Sequence, residues 1–87
     1  MNIMRTEGIE NRKQYQQCFI KVFNLNENQI SESMNIMNVP TWDSVAQMQL
    51  IAEIEDVFDV MLEPEDVVEF TSYELGIEIL GKMGVKM

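Results

Sequence analysis

The sequence predicts a small all-α domain, and three observations predict it. Apolar residues recur with the helical period in two long stretches, about 9–23 and 43–58. Helix start and stop signals bracket those stretches and two shorter segments after them. The chain has 87 residues, of which 46% are hydrophobic, so it suits a single globular domain, 1–87, with its core at about 9–82.

In the first stretch, Tyr15, Cys18, Phe19, Val22 and Phe23 follow i, i+3, i+4, i+7, i+8, one face of a helix. Asn24 and Asn26 then disfavour its continuation. Leu25 and Ile30 are isolated apolar residues suited to anchoring a long loop. Residues 31–42, SESMNIMNVPTW, have no period of either kind, and Pro40 biases Val39 away from helix. Met34, Ile36, Met37 and Val39 are the candidates to pack this loop down. A second helix is expected to start near Asp43 and Ser44, both good N-caps. Its stripe is Leu50, Ile51, Ile54, Val57 and Phe58, with Gln47, Gln49, Glu53, Glu55 and Asp56 largely off it. After Asp59, Val60 and Leu62 are expected to point inward. Pro64 suits the first turn of a helix of two turns at most, PEDVVEF. Thr71 and Glu74 read as a capping box that opens a last helix through Ile77 and Leu80 to a C-cap at Gly81.

Composition excludes several functions. Asp plus Glu number 15 against 6 Lys plus Arg, a formal charge of −9, which argues against nucleic acid and anionic membrane surfaces as partners. All of that net charge falls in residues 43–87, where eleven acids face Lys82 and Lys86. This half is either a solvated face or a docking surface for basic partners. There is no His, so imidazole is missing as a general base and as a metal ligand. One Cys can form no internal disulfide, and Cys18 lies on an apolar stripe, which points to packing rather than nucleophilic chemistry. Asp56, Asp59, Glu63 and Glu65 lack the alternation and central Gly of an EF-hand loop, so no metal site is expected. No apolar run suits membrane insertion, and no secretory signal is visible, so a cytoplasmic protein in a reducing compartment is expected.

One position carries a possible chemistry. Asp43-Ser44-Val45 stands where the loop meets the second helix. Backbone N–H groups and the helix dipole favour a phosphate there, although an Asp-Ser pair is also an ordinary helix cap. The surrounding sequence, TWDSVAQMQLIAEIEDVFDVMLEPEDVVEFTSYELGIEIL, resembles the acyl carrier protein family. The resemblance rests on Asp43-Ser44-Val45, then Glu55-Asp56-Val57-Phe58-Asp59, Pro64-Glu65-Asp66 and Thr71-Ser72. Upstream it includes Phe23-Asn24-Leu25 and Ile30, and it runs without a gap from about Tyr15 to Leu80.

The resemblance implies an acyl-carrier-like four-helix bundle with a long loop between helices 1 and 2 and a short helix 3. It implies that Ser44 Oγ receives 4′-phosphopantetheine from coenzyme A, delivered by a phosphopantetheinyl transferase. Asp43 matches the position that assists magnesium binding in the transferase complex. The protein is then no enzyme but a monomeric carrier of thioesters. Its further partners would be acyl-activating, acyltransferase or synthase enzymes with basic docking patches, meeting it at Val45, Met48, Glu53, Glu55 and Asp56. The Trp42-Asp43-Ser44 form and the non-acidic Ala46, Gln47 and Gln49 resemble specialised bacterial carriers more than the housekeeping fatty acid carrier. The rival readings are an aminoacyl or peptidyl carrier and an unmodified helical interaction module. Asp-Ser and the acidic second helix favour acyl cargo.

Overall fold

A computed structural model describes residues 3–87, with side chains from residue 7 onward. Four helices follow in order: α1 Ile3–Phe23, α2 Ser44–Phe58, α3 Pro64–Glu69 and α4 Tyr73–Lys82. Among the described residues there is no strand, only an isolated antiparallel bridge between Asn35 and Ser72. α1 and α2 make the principal helix-to-helix packing.

α1 begins six residues before the expected start near residue 9. Ile9, where the expected stretch begins, is exposed and so lies off the apolar stripe of α1. Three helices end the same way, with one residue of positive φ after the last turn. Asn24 (φ 56°) follows α1, Asp59 (φ 53°) follows α2 and Gly84 (φ 93°) follows α4. In each case the next N–H reaches back five residues: Leu25 to Ile20 O, Val60 to Glu55 O and Val85 to Leu80 O, at 3.0–3.2 Å. Asn, Asp and Gly are the residues that tolerate this left-handed conformation best. The expected C-cap at Gly81 is therefore corrected. Gly81 lies inside α4, and Gly84 makes the reversal.

The capping of α4 also differs from expectation. Ser72, not Thr71, is the N-cap, and its hydroxyl accepts from Leu75 N at 3.0 Å. The long loop sets that register. Tyr73 N donates to Met34 O, and Ile36 N donates to Thr71 O, so the loop is stitched to the start of α4. Within the loop, Asn35 Oδ1 accepts from Met37 N at 2.7 Å, and Asn38 Oδ1 accepts from Asn35 N at 2.9 Å. Such Asn turns need no hydrophobic period, which is why residues 31–42 show none. Met34 is buried and Val39 half-buried, as expected, whereas Ile36 and Met37 are exposed. A 3₁₀ turn at Glu27–Gln29, between Leu25 and Ile30, was not legible in advance.

The core draws on α1, α2 and α4 and on Phe70, just after α3. Tyr15, Cys18 and Phe19 of α1 pack with Leu50 and Ile54 of α2, Phe70 after α3, and Tyr73 and Leu80 of α4, all essentially inaccessible. Burying each large apolar side chain is worth about 1.5–3 kcal/mol. A helix cap is worth about 1 kcal/mol, so the core dominates the stability. Tyr15 Oη donates to Tyr73 O at 2.6 Å, which satisfies its buried hydroxyl. The expected α2 stripe is partly corrected. Ala46, Leu50, Ile51 and Ile54 are buried and Phe58 packs half-buried against the core, but Val57 is exposed.

Candidate functional site at the start of α2

Ser44 is the first residue of α2 and is exposed. Asp43 before it is the N-cap, in extended conformation, and its Oδ1 accepts from Ala46 N at 2.9 Å. The first N–H groups of a helix have no intrahelical partner. The Ser44 side chain thus stands at the positive end of a 15-residue helix, where a covalently held phosphate is favoured.

Trp42 fixes the approach to this turn. Its side chain is 5% exposed and packs edge-on against Phe19, with ring centroids 5.6 Å apart, and against Phe23 at 5.3 Å. Its role is to pin the loop to the bundle. Next to Ser44 lies a cavity of about 370 Å³, bounded by Ile36, Trp42, Gln47, Val67, Val68 and Thr71 among others. It opens between the start of α2, α3 and the loop.

The sequence reading missed Gln47. It stands i, i+3, i+4, i+7 with Leu50, Ile51 and Ile54, so it occupies the apolar stripe rather than lying off it. A polar residue at a stripe position was the available signal. Gln47 is half-buried. Its Oε1 accepts from Trp42 Nε1 at 2.6 Å, and its Nε2 donates to Val67 O at 2.9 Å and Phe70 O at 3.0 Å. The orientation of the amide is forced, since the indole N–H only donates and the carbonyls only accept.

The remaining candidates separate. Val45 and Met48 are 65% and 66% exposed and flank Ser44, an apolar surface open to a partner. The three acids lie off the buried stripe of α2 but differ in exposure. Glu53 pairs with Lys21 of α1 at 3.0 Å. Glu55 Oε2 accepts from Leu62 N at 2.9 Å, which ties the α2–α3 connection to α2. Asp56 alone of the three is exposed. Glu53 and Glu55 are half-buried because α1 and the 59–63 connection lie over the flank of α2 that carries them. Cys18 is buried, and desolvation, reinforced by the Glu53 carboxylate, pushes its thiol up to about 12.

The site is thus an exposed serine at a helix start, on a small helical bundle with an adjoining apolar cavity. Residues 16–75 match the PP-binding family, described as the phosphopantetheine attachment site, and the chain belongs to that family. The domain is the attachment site of a 4′-phosphopantetheine group, and it is a carrier domain rather than a catalytic one. Domains of this kind work with a phosphopantetheinyl transferase and with pathway enzymes. None of the curated proteins compared with the chain matches it. Among the described residues, no helix is long and apolar enough to cross a membrane.

Proposed function

We propose that this protein is an acyl carrier in which Ser44 bears the phosphopantetheine arm and the cargo rides on the arm's thiol as a thioester. The observation that carries the reading is the exposed Ser44 at the first position of α2, next to Asp43 and the cavity. Asp43 fits the role of assisting transfer, because its second carboxylate oxygen is free to face magnesium in the transferase complex while Oδ1 caps the helix. Acyl cargo is favoured over aminoacyl cargo by the cavity lining. Ile36, Val67 and Val68 are apolar, and Asp43 is its one charged residue among those described. Val45 and Met48, with Asp56 further along α2, form the face offered to the transferase and to acyl-activating, acyltransferase or synthase enzymes. The Trp42-Asp43-Ser44 form fits a specialised pathway served by a monomeric, cytoplasmic carrier with one domain over residues 1–87.

Incubation with coenzyme A and a transferase of broad specificity should add one phosphopantetheine mass to the wild type and none to Ser44→Ala. The variant should keep its fold, because the cap of α2 is Asp43 and not Ser44. A wild type left unmodified by several such transferases would instead make it a helical interaction module.

A further inference from the structure

α3 is held to the rest of the molecule by little apolar burial. None of its six residues is fully buried: Val67 packs half-buried against the core, and the neighbours Leu62 and Phe70 pack at either end. The side chain that ties it down is Gln47. Its amide donates to Val67 O inside α3 and to Phe70 O just after it, while Trp42 Nε1 fixes the other end of the amide. Val67 O also accepts from Phe70 N at 3.3 Å, and Phe70 O lies just past the last turn of α3. The same side chain lies one turn after Ser44 and forms part of the wall of the cavity beside it. Phe70 also lines the cavity, and Leu50 and Ile54 are fully buried in the core.

We propose that Gln47 is a specificity-determining clamp: it holds α3 shut against α2, so that an acyl chain tethered at Ser44 lies in the surface cavity and does not enter the core. The occupant follows from position, since Ser44 itself borders the cavity and anything attached to it is present at high effective concentration. The inference rests on the carrier reading for its occupant, but the clamp itself belongs to the unmodified protein. An apolar chain that slid between α2 and α3 would have to separate Gln47 from both carbonyls. Gln47 Nε2 and Phe70 O would then lose their partners, and Val67 O would keep only Phe70 N, which opposes entry. A cavity of about 370 Å³ is at the small end of ligand sites, so it accommodates the arm or a short chain and leaves a long one projecting into solvent.

Two measurements test this, and they fail separately. The first uses unmodified protein and amide hydrogen exchange. Gln47→Met keeps length and neutrality but removes both donors. It should raise exchange at Val67 and Phe70 about tenfold relative to wild type, with Phe19 and Leu50 amides unchanged. Gln47→Glu, which presents acceptors to the two carbonyls, should do the same or more, and serves if the Met variant fails to fold. Unchanged exchange at α3 in either folded variant overturns the clamp, whatever the protein carries. The second uses protein loaded with hexanoyl and dodecanoyl phosphopantetheine. In the wild type, hydroxylamine should cleave both thioesters at the same rate, and loading should not raise Tm. In Gln47→Met, the dodecanoyl thioester should be cleaved several-fold more slowly and should raise Tm. Equal protection of the long chain in wild type and variant overturns the proposal. A wild type that accepts no arm at Ser44 defeats the carrier reading and with it the assigned occupant, and the exchange result still decides the clamp.

Discussion

Asp43 combines two roles that substitution can separate. Asn caps a helix about as well as Asp does, whereas Ala loses the cap at a cost of about 1 kcal/mol. Asp43→Asn should therefore unfold within a few tenths of a kcal/mol of wild type in urea but accept the phosphopantetheine arm at least tenfold more slowly. Asp43→Ala should show both defects. Equal modification rates for Asn and wild type would remove the carboxylate from the transfer. Cys18 is the second residue with a separable property. Burial raises its thiol to about 12 and raises the Tyr15 hydroxyl above its ordinary range as well, so the fold favours the neutral form of each. A raised acid contributes stability that is complete below its unfolded pKa and is lost as pH climbs toward the folded one. Tm should therefore hold up to about pH 8.5, the ordinary thiol value, and fall from there towards pH 12. Cys18→Ala should flatten the first part of that fall. The same variant should still take up arm and cargo, and loss of loading in a folded, arm-bearing Cys18→Ala protein would show that cargo sits on the wrong thiol.

At the scale of the element, the two glycines of α4 should respond with opposite signs. A Cβ at Gly76 would run into the Tyr15 hydroxyl and the Phe70 ring, both fixed in the core. Gly81 has open space around it and ordinary helical backbone. Helix propensity favours Ala over Gly by about 1 kcal/mol at both sites. At Gly76 that gain is outweighed, since forcing atoms into a packed core costs about 1–3 kcal/mol and rigid rings yield little. Denaturant unfolding should thus show Gly76→Ala destabilised and Gly81→Ala stabilised by about 0.5–1 kcal/mol. A destabilised Gly81→Ala would mean that α4 ends there after all, as the sequence suggests on first reading.

For the whole molecule, the charge of −9 concentrated in residues 43–87 gives long-range attraction to a basic partner. Exposed charges of this kind act on association rate more than on affinity, and they are screened over about 8 Å at physiological salt. The structure selects which acid can test this. Reversing Glu53 would break the pair with Lys21, and reversing Glu55 would free Leu62 N, so both would disturb the fold as well as the field. Asp56→Lys changes the field alone. It should slow modification about twofold or more at low salt, with the difference vanishing as salt rises and stability unchanged. An unaltered low-salt rate would move the docking face to Val45 and Met48, where apolar contact and not charge would govern recognition.

The helices of this protein, their order and the exposed serine were legible in the sequence by itself. Each rests on short-range physics: the 3.6-residue period of Tyr15, Cys18 and Phe19, the extended N-cap at Asp43, and Pro64 in a first turn. The acyl-carrier pattern around Asp43-Ser44 could be read for the same reason, because its residues lie in one contiguous run. What only the tertiary structure decided are contacts between parts distant in the chain. The loop carbonyl of Met34 takes Tyr73 N and so hands the cap of α4 from Thr71 to Ser72. Lys21 and Leu62 draw Glu53 and Glu55 out of the exposed set. Gln47 is the sharpest case. Its polar side chain argued for the surface, but the Val67 and Phe70 carbonyls at the end of a six-residue helix and an indole N–H gave it partners inside the fold. A half-buried amide is stable only when every donor and acceptor is matched, and that matching depends on where α3 packs, not on the local sequence.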